Sequence, residues 1–214
     1  MADYTFYTNP MSRGQIVRWA LHEAGADYEQ QIVEYGPTEG KPAAFIAANP
    51  MGKVPTLVHH HGDHDHVVTE AAAICHYLAE MHPDTGLLPE AHEKAQYFRY
   101  LFFAAGPVEQ AIIANSMGWS VDAEKEGTLG FGSYERMVDA LEIMLTGRDY
   151  VCGDRFTMAD VYVGSQVDWG LAFGTLPQRD AFAAYAERLR TREAYMAAKA
   201  IDNDLIAQRE AADA

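Results

Sequence analysis

The 214-residue chain is short of several things, beginning with cysteine. It has two, Cys75 and Cys152, far apart and in no Cys-x-x-Cys arrangement, so neither a disulfide framework nor a dithiol redox motif is written in it and a reducing, cytoplasmic setting is the simpler expectation. Positive charge is also scarce: 16 Lys and Arg stand against 31 Asp and Glu, a formal net charge of −15. Such a surface repels a phosphate backbone and an anionic lipid leaflet alike, because binding either one rests on Lys and Arg neutralising its charge. Nucleic acid and membrane are therefore not expected as partners. No apolar run approaches the ~18 residues of a spanning helix. The start, MADYTFYTNP, lacks the basic-then-apolar pattern of a secretory signal. What is present, 49% hydrophobic residues, is enough to build one or two small packed domains.

The first eighty or so residues mix two periods. Tyr4-Thr5-Phe6-Tyr7 reads as a strand closed by Asn9-Pro10, and Ser12 to Ala24 switches to a helical period with Ile16, Trp19, Ala20 and Ala24 on one face and Gly25 as a stop. Tyr28 to Val33 reads as a strand, 42–48 as a short helix, and Val54 to Val58 with His66 to Val68 as a hairpin. Thr69 then opens a helix whose Ile74, Tyr77, Leu78 and Met81 follow the i, i+3, i+4, i+7 rule until His82-Pro83. Beyond the loop 84–90 the sequence carries helical patterns only, at 91–118, 128–146, 157–172, 178–190 and 192–209, with Pro107 expected to kink the first. The fold class expected is α/β plus all-α: a mixed-sheet domain over 1–83 followed by a helical bundle over 90–214.

Four segments in this order, FYTNPMSRGQIVRWALHEAG, NPMGKVPTL, TEAAAICHYLAE and DRFTMADVYV, resemble the soluble glutathione transferase family across essentially the whole chain. The resemblance implies a thioredoxin-like first domain that binds glutathione as co-substrate. It also implies an all-helical second domain contributing the acceptor pocket, and a homodimer acting in detoxification. The expected activity is conjugation of the glutathione thiolate to small, largely hydrophobic electrophiles. The alternatives on the same scaffold are a non-catalytic glutathione or hydrophobic-ligand binding protein, or a glutathione-dependent peroxidase, dehalogenase or isomerase.

Each segment carries its own chemistry. Pro55 sits inside an apolar strand pattern, where it cannot donate to a ladder; in the resembled family the matching proline is cis and frees the backbone of the preceding residue, here Val54, for the cysteinyl part of glutathione. Lys53 offers a cation beside it. At the helix start Thr69-Glu70-Ala71, free first-turn amides suit a carboxylate, and Thr69 is the expected cap. The family pattern is an acidic residue followed by Ser or Thr, so Glu70 is kept for the ligand's ammonium while Ala71 lacks the hydroxyl. That loss is worth about 1.5–3 kcal/mol, tenfold or more in affinity.

Ser12 is the expected catalytic donor. A thiol of pKa about 8.5 is only slightly ionised at neutral pH, and lowering it by about two units takes roughly 2.7 kcal/mol of thiolate stabilisation, which a hydroxyl donor and a helix start supply. Ser12-Arg13-Gly14-Gln15 also fits the S-x-x-Q capping box, so both roles are open. Tyr7, Asn9 and Arg13 are the fallbacks. Met11, Phe103, Met117 and Trp119 are candidate walls for the acceptor. Thr157-Met158-Ala159-Asp160 reads as a buried capping box with a structural role. His59, His60, His61, His64 and His66, with Asp63 and Asp65, have donors that suit zinc or nickel. Alternation about a tip at Gly62-Asp63 sends neighbouring side chains to opposite faces without a defined second shell, so no metal is expected.

Overall fold

A computed structural model describes residues 2–212. Its strands are β1 Tyr4–Thr8, β2 Tyr28–Ile32, β3 Thr56–His61 and β4 His64–Thr69. Its helices are α1 Gly14–Ala24, α2 Ala43–Ala48, α3 Ala71–Met81, α4 Lys94–Phe103, α5 Glu109–Ser116, α6 Tyr134–Leu145, α7 Met158–Ala172, α8 Asp180–Arg190 and α9 Glu193–Ala212. By internal contacts the chain divides into two compact units: residues up to Gly86 together with those from Arg192 on, and Leu87–Thr191.

The first unit holds a four-stranded sheet of order β2-β1-β3-β4, with β1 parallel to β2 and antiparallel to β3, and β3 antiparallel to β4. This is the thioredoxin-like arrangement expected. The period of two in β1 buries Tyr4 and Phe6 on one face, while Tyr7 turns to the other and packs on Phe45 of α2, 5.2 Å between ring centroids. On the first face lie α1 and α3. The charged side chain of Arg18 is fully buried there, its guanidinium over the Phe6 and Tyr28 rings and 3.0 Å from Asp202 of α9. Two charges so far from water are tolerated only because they face each other. Further pairs tie the last segment to the sheet unit: Arg192, just before α9, with Glu23 of α1 at 2.6 Å, Lys199 with Gln15 of α1 at 2.8 Å, and Arg209 with Glu34 after β2. The last helix therefore packs on α1.

In the second unit Pro107 has the expected effect. It lies in a wide turn, Ala104–Val108, that separates α4 from α5, and the amide of Glu109 bonds five residues back to Ala104. α6 starts at Tyr134, later than the periodicity predicts. Gly132 sits at φ 66°, and Ser133 caps the helix by accepting from the Arg136 amide. α7 is buried on nearly all sides, from Met158 through Asp168. Its start carries the expected capping box of Thr157 and Asp160. The Asp160 carboxylate, with no exposure, accepts from the Val151 amide (2.7 Å), the Thr157 amide (2.8 Å) and hydroxyl (3.0 Å) and the Tyr185 hydroxyl (2.8 Å). No described helix is long and apolar enough to cross a membrane.

Candidate functional site

The strand register brings three predicted segments to one end of the sheet. Tyr7 lies opposite Thr56 and Thr56 opposite Thr69. The end of β1, the start of β3 and the end of β4 are therefore neighbours, and Thr8 beside Ile32 adds the end of β2. Ser12, Val54-Pro55 and Glu70-Ala71 follow or precede these strand ends by a few residues.

Two buried asparagines hold two of the loops in the same way. In Asn9-Pro10-Met11 the Asn9 side chain accepts from the Met11 amide at 3.0 Å and donates to the Val33 carbonyl at 2.9 Å. In Asn49-Pro50-Met51 the Asn49 side chain accepts from the Met51 amide at 3.1 Å and donates to the Lys53 carbonyl and Thr56 hydroxyl, each at 2.9 Å. Both are Asx turns. The repeated Asn-Pro-Met triplet was the available signal for them. The side chain of Asn9, a fallback donor, is thus engaged in its turn, and the ring of Tyr7, another, packs on the face toward α2.

Ser12 is half-buried. Its hydroxyl donates to the Asn9 carbonyl at 2.7 Å and accepts from the Gly14 amide at 2.9 Å. The capping box is not closed: the Gln15 side chain donates to the Pro10 carbonyl at 2.5 Å instead of returning to the Ser12 amide, which bonds the Asn9 carbonyl. Gly14 is required for this approach, since a Cβ there would stand 2.0 Å from the Thr8 hydroxyl and 3.0 Å from the Ser12 hydroxyl. Tyr35, from the loop after β2, reaches over the same turn and donates to the Met11 carbonyl at 2.8 Å. Arg13 is exposed.

The Val54–Pro55 bond is cis, and β3 begins at Thr56, after the proline. Lys53 is exposed, its carbonyl held by Asn49 and Thr56. Lys41 was missed from the sequence; it donates to the Gly52 carbonyl at 2.5 Å, putting a second cation beside the same turn.

At α3 the cap residue is Glu70, not Thr69, and no side chain caps the first turn. Glu70 is exposed and is the only non-glycine among the described residues with positive φ, 65°, a conformation that costs an ordinary residue on the order of 1–3 kcal/mol and clusters where ligands are held. Its carbonyl accepts from Ile74 at 2.9 Å, while the amides of residues 71–73 point out of the helix start with no capping group. Ala71 is 7% exposed and offers only its backbone.

Of the candidate acceptor walls, Met11, Met117 and Trp119 are each 65% exposed. Phe103 lines a cleft of about 310 Å³ within the helical unit, with Pro107, Leu129, Phe131 and Met137. Neither cysteine has thiolate character. Burial pushes the Cys75 thiol far up, and burial ahead of its Thr157 contact pushes Cys152 up to about 11.

Known proteins share this plan. Residues 11–81 match the glutathione S-transferase N-terminal domain and residues 123–193 the glutathione S-transferase C-terminal domain. Glutathione S-transferase 2 of Schizosaccharomyces pombe is 30% identical over 189 residues, 82% of this chain and 78% of that protein. The chain belongs to the glutathione S-transferase family. A glutathione transferase structure from Methylococcus capsulatus superposes at TM-score 0.76 with 28% identity, covering 94% of this chain and 98% of that one. A sphingomonad glutathione S-transferase solved in complex with glutathione gives 0.72 with 26% identity, covering 93% and 98%. As in other members, the thioredoxin-like unit comes first and the helices follow, and the first match begins at Met11, on the loop that carries Ser12.

Proposed function

We propose that the protein is a cytoplasmic, homodimeric detoxifying glutathione transferase that binds glutathione at the open end of its sheet and ionises the thiol with Ser12. The observation that carries this reading is the convergence, by strand register, of the Ser12 turn, the Val54-Pro55 loop and the uncapped start of α3. The γ-glutamyl carboxylate takes the free amides at residues 71–73, and Glu70 pairs with the ligand ammonium. The Val54 backbone pairs with the cysteinyl unit beside Pro55, and Lys53, with Lys41 near it, faces the glycyl carboxylate.

Ser12 must turn its one hydroxyl hydrogen from the Asn9 carbonyl to the sulfur. The bond given up is worth about 1 kcal/mol and the bond to a thiolate about 1.5–3, so the exchange favours the anion. The thiol proton passes to solvent, and the thiolate then attacks an electrophilic carbon, forming the C–S bond as the leaving group departs with its electron pair. Met11, Phe103, Met117 and Trp119 are the side chains proposed to bind the acceptor.

Two observations favour a second reading, a glutathione-binding protein without turnover: the Ser12 hydrogen is already committed, and Ala71 brings no hydroxyl. The two separate in one set of measurements. Glutathione binding by titration calorimetry, conjugation of a chlorinated dinitroaromatic, and a turnover loss of about tenfold or more in Ser12→Ala, the equivalent of about 1.4 kcal/mol, support the transferase. Binding with no turnover across electrophiles and peroxides supports the second reading.

A further inference from the structure

The β3–β4 hairpin carries five histidines that the proposed reaction does not use. Register decides their sides. His59 stands opposite His66 and His61 opposite His64, and directly opposed residues of an antiparallel pair project from the same face. His59, His61, His64 and His66 therefore share one face, whereas His60 and Asp65, also opposed, share the other, where they meet at 2.7 Å. Alternation scatters the histidines along each strand, but pairing gathers them again.

On the shared face the ring centroids lie 5.2 Å apart for His59–His61, 6.3 Å for His59–His66 and 6.1 Å for His61–His66. Two imidazoles held at a tetrahedral angle by one ion, with metal–nitrogen distances of about 2.0–2.1 Å, have centroids about 5 Å apart. One pair is at that spacing and the other two need to close by about 1 Å. Among the described residues no three ligating groups already converge on a single point. The closure falls to side-chain rotation of His61 and His66, both exposed.

His59 is the fixed member. Its ring is stacked on Tyr4 at 4.5 Å, and its Nδ1 lies 2.8 Å from the Tyr77 hydroxyl of α3, so Nε2 is the ring nitrogen left for a metal. A hydrogen bond on the far ring nitrogen is the feature that orients a metal-bound histidine.

We propose that His59, His61 and His66, with His64 or water completing four-coordination, bind one divalent transition-metal ion of the imidazole-preferring class, such as zinc. The site lies toward the hairpin tip, at the other end of these strands from Thr56 and Thr69, so its occupancy is read without reference to catalysis.

The test is calorimetric titration of zinc chloride into the untagged, chelator-stripped full-length protein, with cobalt absorption as the reporter of coordination. The expected result is one ion per chain, a four-coordinate cobalt spectrum, and at least about tenfold weaker binding in His61→Ala and in His66→Ala. Tyr77→Phe should weaken it by about tenfold, and His60→Ala should leave it within about twofold. Melting curves in chelator confirm that each variant folds. A loss in His60→Ala equal to that in His61→Ala means adventitious binding to a histidine-rich segment and overturns the site, as does a stoichiometry well below one.

Discussion

Two helix starts in this molecule are built on opposite principles. At α7 the Asp160 carboxylate is fully buried and takes four donors, so the helix start is closed by its own chain. At α3 no side chain caps the first turn, and the cap residue Glu70 is exposed with φ 65°. Helix starts leave unpaired amides that something must satisfy. Where the chain supplies the partner, it has made structure; where it withholds one on an exposed edge and tolerates backbone strain there, we propose that it leaves room for an anion. The start of α1 is intermediate, since Ser12 takes one amide yet remains half-buried with a hydroxyl that can turn.

The largest test of this contrast is Asp160→Ala. It strands several buried donors, each costing about 1–3 kcal/mol, so urea unfolding should show a loss of at least about 3 kcal/mol while the folded fraction still binds glutathione. A loss under about 1 kcal/mol would erase the distinction. Glu70→Gln should do the reverse, weakening glutathione by about tenfold or more in calorimetry, as expected for a lost hydrogen bond to a charged group, with no fall in melting temperature. Glu70→Gly sharpens it further. Glycine adopts positive φ without strain, so stability should hold or rise by up to about 1 kcal/mol even as binding weakens.

The smallest effect concerns the turn that leads into α4. There Glu93 accepts from the Glu90 amide at 2.7 Å and from Arg155. Burial raises the Glu93 pKa, but the Arg155 and Glu90 hydrogen bonds outweigh it and hold the carboxyl below its ordinary value. The native state then binds fewer protons than the unfolded chain, so this stabilisation is present above the ordinary glutamate pKa and is lost as pH falls through the native one. The stability gap between wild type and Glu93→Gln should accordingly be widest near neutral pH and narrow in acid.

Much of the fold was legible because it rests on local chemistry. Pro107 interrupts a helix for covalent reasons, Thr157 and Asp160 lie three residues apart, and the periods of β1 and α1 switch at Asn9-Pro10. What was not legible depends on chain segments far apart in sequence. Nothing local to α9 says that Asp202 will face Arg18 across 184 residues, and nothing in the run of histidines says which of them share a face until β3 and β4 pair. The site was legible as segments but not as geometry. Thr69 looks like a cap by residue type, yet the turn into α3 gives that position to Glu70. The box at Ser12 fails because the Ser12 amide bonds the Asn9 carbonyl and the Gln15 side-chain oxygen, which would have to accept from it, accepts from Lys199 instead.

The central claim is that the uncapped end of the sheet, with Ser12, stabilises glutathione as its thiolate. Spectroscopic pH titration of the bound tripeptide tests it most directly. The account predicts a thiol pKa about two units below the free value of about 8.5, returning toward that value in Ser12→Ala. A bound thiol titrating as it does in water, or no complex at millimolar glutathione, would contradict it.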